Sequence, residues 1–239
     1  MLSRTVLCLL TCLAGNALVG GPMPLGNPSA NSMAVLTNSR VRQVGPGTYQ
    51  VGIVKLEKAK NTITFPAQIN MREGIVEYAL VSSQGKLHES VLQTEAEPYH
   101  IHVAMLLLGA KGSPKELREE DFLRNIPGDK VTIQVAWKVD GVEKNAPLES
   151  WILDKILEKP MKAGEWTYNG SRTVEAVFLA QRERSIIALI ADPDALVNNP
   201  RTYREKDDNW TGNPEACPPV GTPVQVSIKI QPQKPLPSP

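Results

Sequence analysis

The sequence predicts a mainly β protein of the α+β kind. Its expected core is β-sandwich-like, with an immunoglobulin-like arrangement as one form, one buried helix near residues 98–109 and short helical insertions. Three observations predict this. Apolar and polar residues alternate with period two over residues 131–139 and 222–230, the signature of half-buried strands. Asp140-Gly141 follows the first of these runs and is a two-residue hairpin signal. Between Pro98 and Gly109 the composition changes to Ala, Met and Leu, with proline where a helix starts and glycine where it stops.

The elements follow in order. Residues 21–47 are rich in Gly, Pro, Asn and Ser and read as a flexible N-terminal arm. Residues 49–57 alternate, with a slip at Ile53-Val54, and Thr62 to Ala67 reads as a second strand in which Pro66 marks an edge or an end. Residues 75–82 and 86–92, joined by Ser83-Gln84-Gly85, look like a hairpin. The segment 98–109 is apolar on nearly every side and should be buried on most faces. Residues 113–122 read as a short helix or a solvated loop, and Pro147 to Ile156 as a short amphipathic helix. Further strands are expected at 166–168, 174–179 and 185–190. Residues 192–221 form an irregular excursion, and a disordered Pro-rich tail spans 231–239. Residues 48–230 show no internal boundary, so a single domain is expected there.

The first twenty residues read as an export signal. Arg4 supplies a positive start, Val6–Ala14 an apolar run, and Ala14, Gly15 and Ala17 the small residues of a cleavage region. The run is too short to span a bilayer as a helix, which needs about 20 residues, so no transmembrane segment is expected in the mature chain. Of three cysteines, Cys8 and Cys12 fall in this signal. Cys217 alone remains, which excludes an intramolecular disulfide and a cysteine-rich metal centre and suits a small buried hydrophobe. Lys+Arg 26 against Asp+Glu 25 gives no basic face for nucleic acid.

The chemistry-bearing residues gather in one stretch. His88, His100 and His102 are the three histidines of the chain, and Glu89 follows the first. Imidazole and carboxylate suit zinc, copper, iron or nickel, which makes His88, Glu89, His100 and His102 the candidate metal ligands. The expected secondary structure works against full convergence. Neighbours on a strand point to opposite faces, and helical residues two apart lie on nearly opposite sides. The alternative role for these histidines is to tie helix to sheet. No Gly-x-Ser-x-Gly elbow, Walker loop or Gly-x-Gly-x-x-Gly is present. Asp192-Pro193-Asp194 and Asp207-Asp208-Asn209 lack the spacing of a calcium loop and suit turns. Among Trp137, Trp151, Trp166 and Trp210, core packing suits Trp137 and Trp166, while Trp210, in a polar segment, is the candidate partner contact. Asn169-Gly-Ser and Asn209-Trp-Thr match the glycosylation sequon.

Lys86-Leu87-His88-Glu89-Ser90-Val91-Leu92, followed by Pro98-Tyr99-His100-Ile101-His102 and the run to Gly109, resembles the core motif of the YdjY-domain proteins of bacteria. Gly128-Asp129-Lys130-Val131, Trp166 with Asn169-Gly170-Ser171-Arg172, Asp192-Pro193-Asp194-Ala195 with Asn199-Pro200, and Pro219 to Val224 fit the same pattern. The resemblance covers about residues 50–232. It implies an exported bacterial protein and no settled biochemical activity. Some members are labelled ferredoxin-like for added cysteine motifs, and this chain has none.

The sequence therefore predicts an exported, non-catalytic β-rich binding or structural module, periplasmic or at the cell surface, with a protein or envelope partner and no cofactor. The alternative is a metal-binding protein or metal-dependent enzyme, with a transition metal such as zinc on the His88/His100/His102 cluster.

Overall fold

The computed structural model describes residues 41–113, 120 and 124–232. In chain order the strands are β1 (Val41–Gly45), β2 (Thr48–Val51), β3 (Val54–Glu57), β4 (Thr62–Ile69), β5 (Tyr78–Ser82) and β6 (Ser90–Thr94). Then come β7 (Asp129–Val139), β8 (Val142–Pro147), β9 (Ile152–Asp154), β10 (Lys159–Pro160), β11 (Trp166–Tyr168), β12 (Thr173–Val174) and β13 (Val177–Phe178). The last are β14 (Ser185–Ala188), β15 (Val197–Asn198), β16 (Trp210–Gly212) and β17 (Pro223–Ile230). Helix α1 (Pro98–Leu107) follows β6, and α2 (Leu179–Glu183) precedes β14.

The core is a closed eight-stranded barrel, not a sandwich. Its strands run in the order β4-β17-β7-β11-β15-β14-β5-β6, and β6 pairs back onto β4 through Gln68↔Gln93 and Ile69↔Leu92. The sandwich expectation fails for a physical reason. Alternation shows that one face of a strand is buried, but the covering surface can be a second sheet or the far wall of the same sheet. Ile63, Phe65 and Ile69 of β4, Val131, Ile133 and Val135 of β7, and Val226 and Ile228 of β17 are all essentially buried. They fill the interior, as side chains do in a barrel of about eight strands. Each such burial is worth about 1.5–3 kcal/mol.

Two long strands leave the barrel at opposite corners. On one side of β4, Thr62–Thr64 pair with β3 while Gln68 and Ile69 close the barrel with β6. Pro66 sits between these stretches, where that side of β4 has no ladder partner, so its missing N–H breaks no bond there. In β7, residues 129–131 pair with β11 and residues 134–139 with β8. The β1–β2–β3 meander and β8 therefore project beyond the barrel as flaps. Asp140 and Gly141 turn β7 into β8 with φ of 52° and 79°, the left-handed pair that a two-residue hairpin requires.

Helix α1 starts at the expected Pro98 but ends at Leu107 and is buried along one face only, with Leu106 and Leu107 51% and 39% exposed. Its Ile101, Ala104 and Met105 enter the main core, and it packs against β2, β3 and β4. Other expectations are corrected. Residues 75–82 and 86–92 do not form a hairpin, because β5 and β6 are parallel neighbours (Tyr78↔Ser90, Leu80↔Leu92). Residues 83–89 run back alongside them, through a 3-10 turn at Leu87–Glu89. Parallel strands usually need a crossover of a dozen residues or more, which is why so short a spacing reads as a hairpin. Pro147 to Ile156 is a 3-10 turn (Leu148–Trp151) followed by β9. The expected strand at 174–179 is the β12–β13 hairpin, turned by Glu175 and Ala176 at positive φ, leading into α2. Of the arm expected at 21–47, residues 41–45 form β1 and residues 21–40 lie outside the described residues. The export signal, most of 113–122 and residues 233–239 lie outside the described residues.

Candidate functional site

The three histidines occupy three different environments. His88 lies in the β5–β6 crossover with its side chain 80% exposed, and its Nε2 is 3.6 Å from Glu89 Oε2. His100 lies on α1 against the β2–β3 turn. A Cβ added at Gly52, which has φ +56°, would stand 2.3 Å from His100 Nδ1. Burial lowers the imidazole pKa of His100. His102, one half-turn further, is more deeply set. Its Nδ1 is 2.8 Å from the Tyr168 hydroxyl, and its ring centroid is 4.8 Å from that of Phe178. Burial pulls the His102 pKa down to about 4 and pushes that of Tyr168 upward. The phenol keeps its proton, so it is the natural donor and Nδ1 the acceptor.

Helix α1 is fixed at its start by side chains that sequence patterns did not flag. The Tyr99 N–H donates to Gln181 Oε1 at 3.0 Å. The Glu97 carboxylate pairs with Arg184 Nη1 at 2.6 Å and accepts from Gln181 Nε2. Both histidines of α1 thus serve as joints, His100 to the β2–β3 flap and His102 to β11. Among the described residues, no three His, Cys, Asp or Glu side chains are grouped as a metal ion requires.

Glu89 is 3.7 Å from Lys86 Nζ. Lys86 Nζ donates to Tyr78 Oη at 2.9 Å, and Tyr78 donates to Asp192 Oδ2 at 3.0 Å. Burial raises the Asp192 pKa, opposed by hydrogen bonds from the Asp194 N–H and Tyr78. The Asp192-Pro193-Asp194-Ala195 loop is also gripped from β11 and β15. Asn169 Nδ2 donates to Ala195 O at 2.9 Å, Asn198 Nδ2 donates to Asn169 Oδ1 at 2.9 Å, and Asn198 Nδ2 donates to Asp192 O at 2.8 Å. Arg172 Nε meets Asp194 Oδ1 at 2.5 Å. The two loop motifs noted in the sequence are therefore two halves of one latch. Asn169 and Asn209, the sequon asparagines, are 2% and 1% exposed and offer no acceptor amide at the surface of the folded chain. Cys217 is 3% exposed, with burial pushing its thiol pKa up to about 11, as a small buried hydrophobe.

The tryptophans divide differently from expectation. Trp210 is fully buried, as are Trp151 and Trp166. It stands in β16 opposite Asp154 of β9, where its ring meets core and not a partner. Sequence context placed it in a polar loop, and the short β9–β16 pairing is invisible to periodicity. Trp137 is the tryptophan that keeps part of its ring at the surface. It packs edge-on against Trp151, with ring centroids 5.2 Å apart.

The position of Trp137 follows from strand lengths. Val224 of β17 lies opposite Trp137. Beyond it β17 ends at Pro223 while β7 and β8 run on. The step leaves a groove whose lining includes Ala136, Trp137, Lys138, Glu143, Pro223 and Gln225, with Val224 between the last two. Its lining combines the apolar Ala136, Trp137, Pro223 and Val224 with the charged Lys138 and Glu143. Nothing in the alternation of β7 or β17 signals the groove, because it arises from where one strand stops.

A family model for the YdjY domain matches residues 54–229. With most of the chain covered, the protein belongs to the YdjY-domain family. No curated protein and no solved structure matches the chain. Among the described residues no helix is long and apolar enough to cross a membrane.

Proposed function

We propose that this protein is an exported, non-catalytic binding module of the bacterial envelope or a surface appendage, and that it binds through the Trp137 groove. One observation carries the reading: a half-buried Trp137, packed on Trp151, lines the step where β17 ends, together with Pro223 and Val224. A rigid aromatic supplies large contact area at little entropic cost. Aromatic-lined grooves take proline-rich segments, whose polyproline II form is extended before binding. The charged and polar side chains elsewhere support the same reading, since His102, Tyr168, Asp192, Tyr78 and Asn169 are each engaged in bonds that hold the fold. Export is supported by Arg4 and the apolar run Val6–Ala14.

A photo-crosslinking residue at exposed Gln225, in the groove lining, tests both parts in producing cells. The processed chain should fractionate outside the cytoplasm and form defined adducts from position 225. The same probe at exposed Glu175, in the β12–β13 turn and outside the groove lining, should form none. An unprocessed cytoplasmic chain, or equal adducts from both positions, contradicts the proposal.

A further inference from the structure

We infer that the occupant of the Trp137 groove is the proline-rich tail of a second copy of the chain, exchanged reciprocally in a two-fold dimer. This rests on the reading of the groove as a binding surface and names what fills it.

The tail follows β17 directly and carries Pro232, Pro235, Pro237 and Pro239. Proline at this density favours polyproline II, the form such grooves accept. Its root is fixed. The Gln231 N–H donates to Lys130 O at 2.8 Å, and Gln231 Nε2 donates to Thr132 Oγ1 at 2.9 Å. Ile230 lies opposite Val131, while Val224 lies opposite Trp137. Root and groove therefore stand at opposite ends of the β17–β7 ribbon, about 20 Å apart at roughly 3.3 Å per residue.

The direction of the root decides between copies. Gln231 continues β17 past Val131 toward Lys130, away from Trp137. The prolines up to Pro239 would have to reverse first and then return the whole length of the ribbon. Seven residues in polyproline II reach only about 22 Å with no turn at all, so these prolines cannot fill the groove of their own molecule. A second molecule laid antiparallel places its groove beside the first molecule's tail root, and the reverse contact follows by symmetry. Such isologous two-fold contacts are the commonest closed assembly. On the rim, exposed Glu143 offers a carboxylate to Lys234 of the incoming tail.

Sedimentation velocity of the mature chain over a range of concentrations tests this. The expected result is a reversible dimer with no larger species. A chain truncated after Pro232, and an Ala136→Arg variant whose side chain fills the groove from the outer face, should each be monomeric. Mixed together they should form a weaker one-to-one heterodimer, because one retains a groove and the other a tail. A monomeric full chain, an open-ended series of oligomers, or a truncated chain that still dimerises overturns the inference. Failure of the underlying reading looks different. A synthetic peptide of residues 231–239 that shifts the Trp137 indole NMR signal of the truncated chain keeps the groove as a binding surface even if the full chain is monomeric. If neither that peptide nor any other proline-rich peptide shifts the signal, the groove reading itself fails.

Discussion

His102 Nδ1 and the Tyr168 hydroxyl stand 2.8 Å apart across the junction between α1 and β11. With Phe178 against the same imidazole, this pair makes a histidine that looked like a metal ligand into a neutral joint of the fold. The phenol donor should hold the ring in the tautomer protonated at Nε2. Nitrogen-15 shifts of His102 check this directly, and a Tyr168→Phe variant should lose the preference. That variant leaves a buried acceptor without its donor, at a cost of about 1–3 kcal/mol, read by denaturant unfolding.

The same histidine sets a pH dependence. Its folded pKa is about 4 against an ordinary 6.5, so the unfolded chain binds the proton more readily. Stability from this group is fully present above pH 6.5 and is lost as the pH falls toward 4. The total is at most about 3–4 kcal/mol, at 1.36 kcal/mol per pKa unit. Unfolding free energies measured from pH 7 to pH 4 should show this slope, and His102→Gln should flatten it. An unchanged slope in that variant rules out His102 as the source.

Gly52 and His100 should be coupled. A Cβ at Gly52 meets the His100 ring at 2.3 Å, and the residue holds φ +56°. Gly52→Ala should therefore destabilise by more than the roughly 1 kcal/mol that left-handed backbone alone costs a non-glycine residue. Adding His100→Ala should recover the steric part and leave the backbone part. A double-mutant cycle with no interaction energy would show that His100 does not hold the flap.

The Glu149–Arg201 pair offers a fourth check. Glu149 Oε1 and Arg201 Nη2 are 2.9 Å apart, with side chains only 4% and 12% exposed. The guanidinium also lies over the Trp166 ring at 4.9 Å. Arg201→Met strands a buried carboxylate and should cost about 3–5 kcal/mol. Changing Glu149→Leu as well should recover much of that loss, as measured by unfolding midpoints.

What the sequence reveals here depends on how local each feature is. The alternation of residues 131–139 and 222–230, the Asp140-Gly141 turn and the α1 start at Pro98 are set by residues close in the chain, and all are read correctly. Barrel closure rests on two residue pairs between Gln68-Ile69 and Leu92-Gln93, and β15 is a strand of two residues, Val197 and Asn198. Neither is long enough to show a period. The parallel β5–β6 pair is hidden behind the turn signal at Ser83-Gln84-Gly85. The candidate histidines are legible as a family motif, but their separation is not, because it depends on which way residues 83–89 return. Trp137 and Trp210 exchange their expected degrees of burial for the same reason. Exposure is decided by where β17 ends and by what β9 pairs with, and both are non-local.

The most direct test of the binding account follows the indole N–H signal of Trp137 by two-dimensional NMR, assigned with Trp137→Phe. Proline-rich peptides and a glycine–serine control are titrated into the mature chain at low protein concentration. The account predicts a saturable shift confined to Trp137 and its groove neighbours, absent with the control and abolished by Ala136→Arg. Shifts that fall instead on His102, Lys86 or the Asp192 loop, or no shift with any proline-rich peptide, would contradict it.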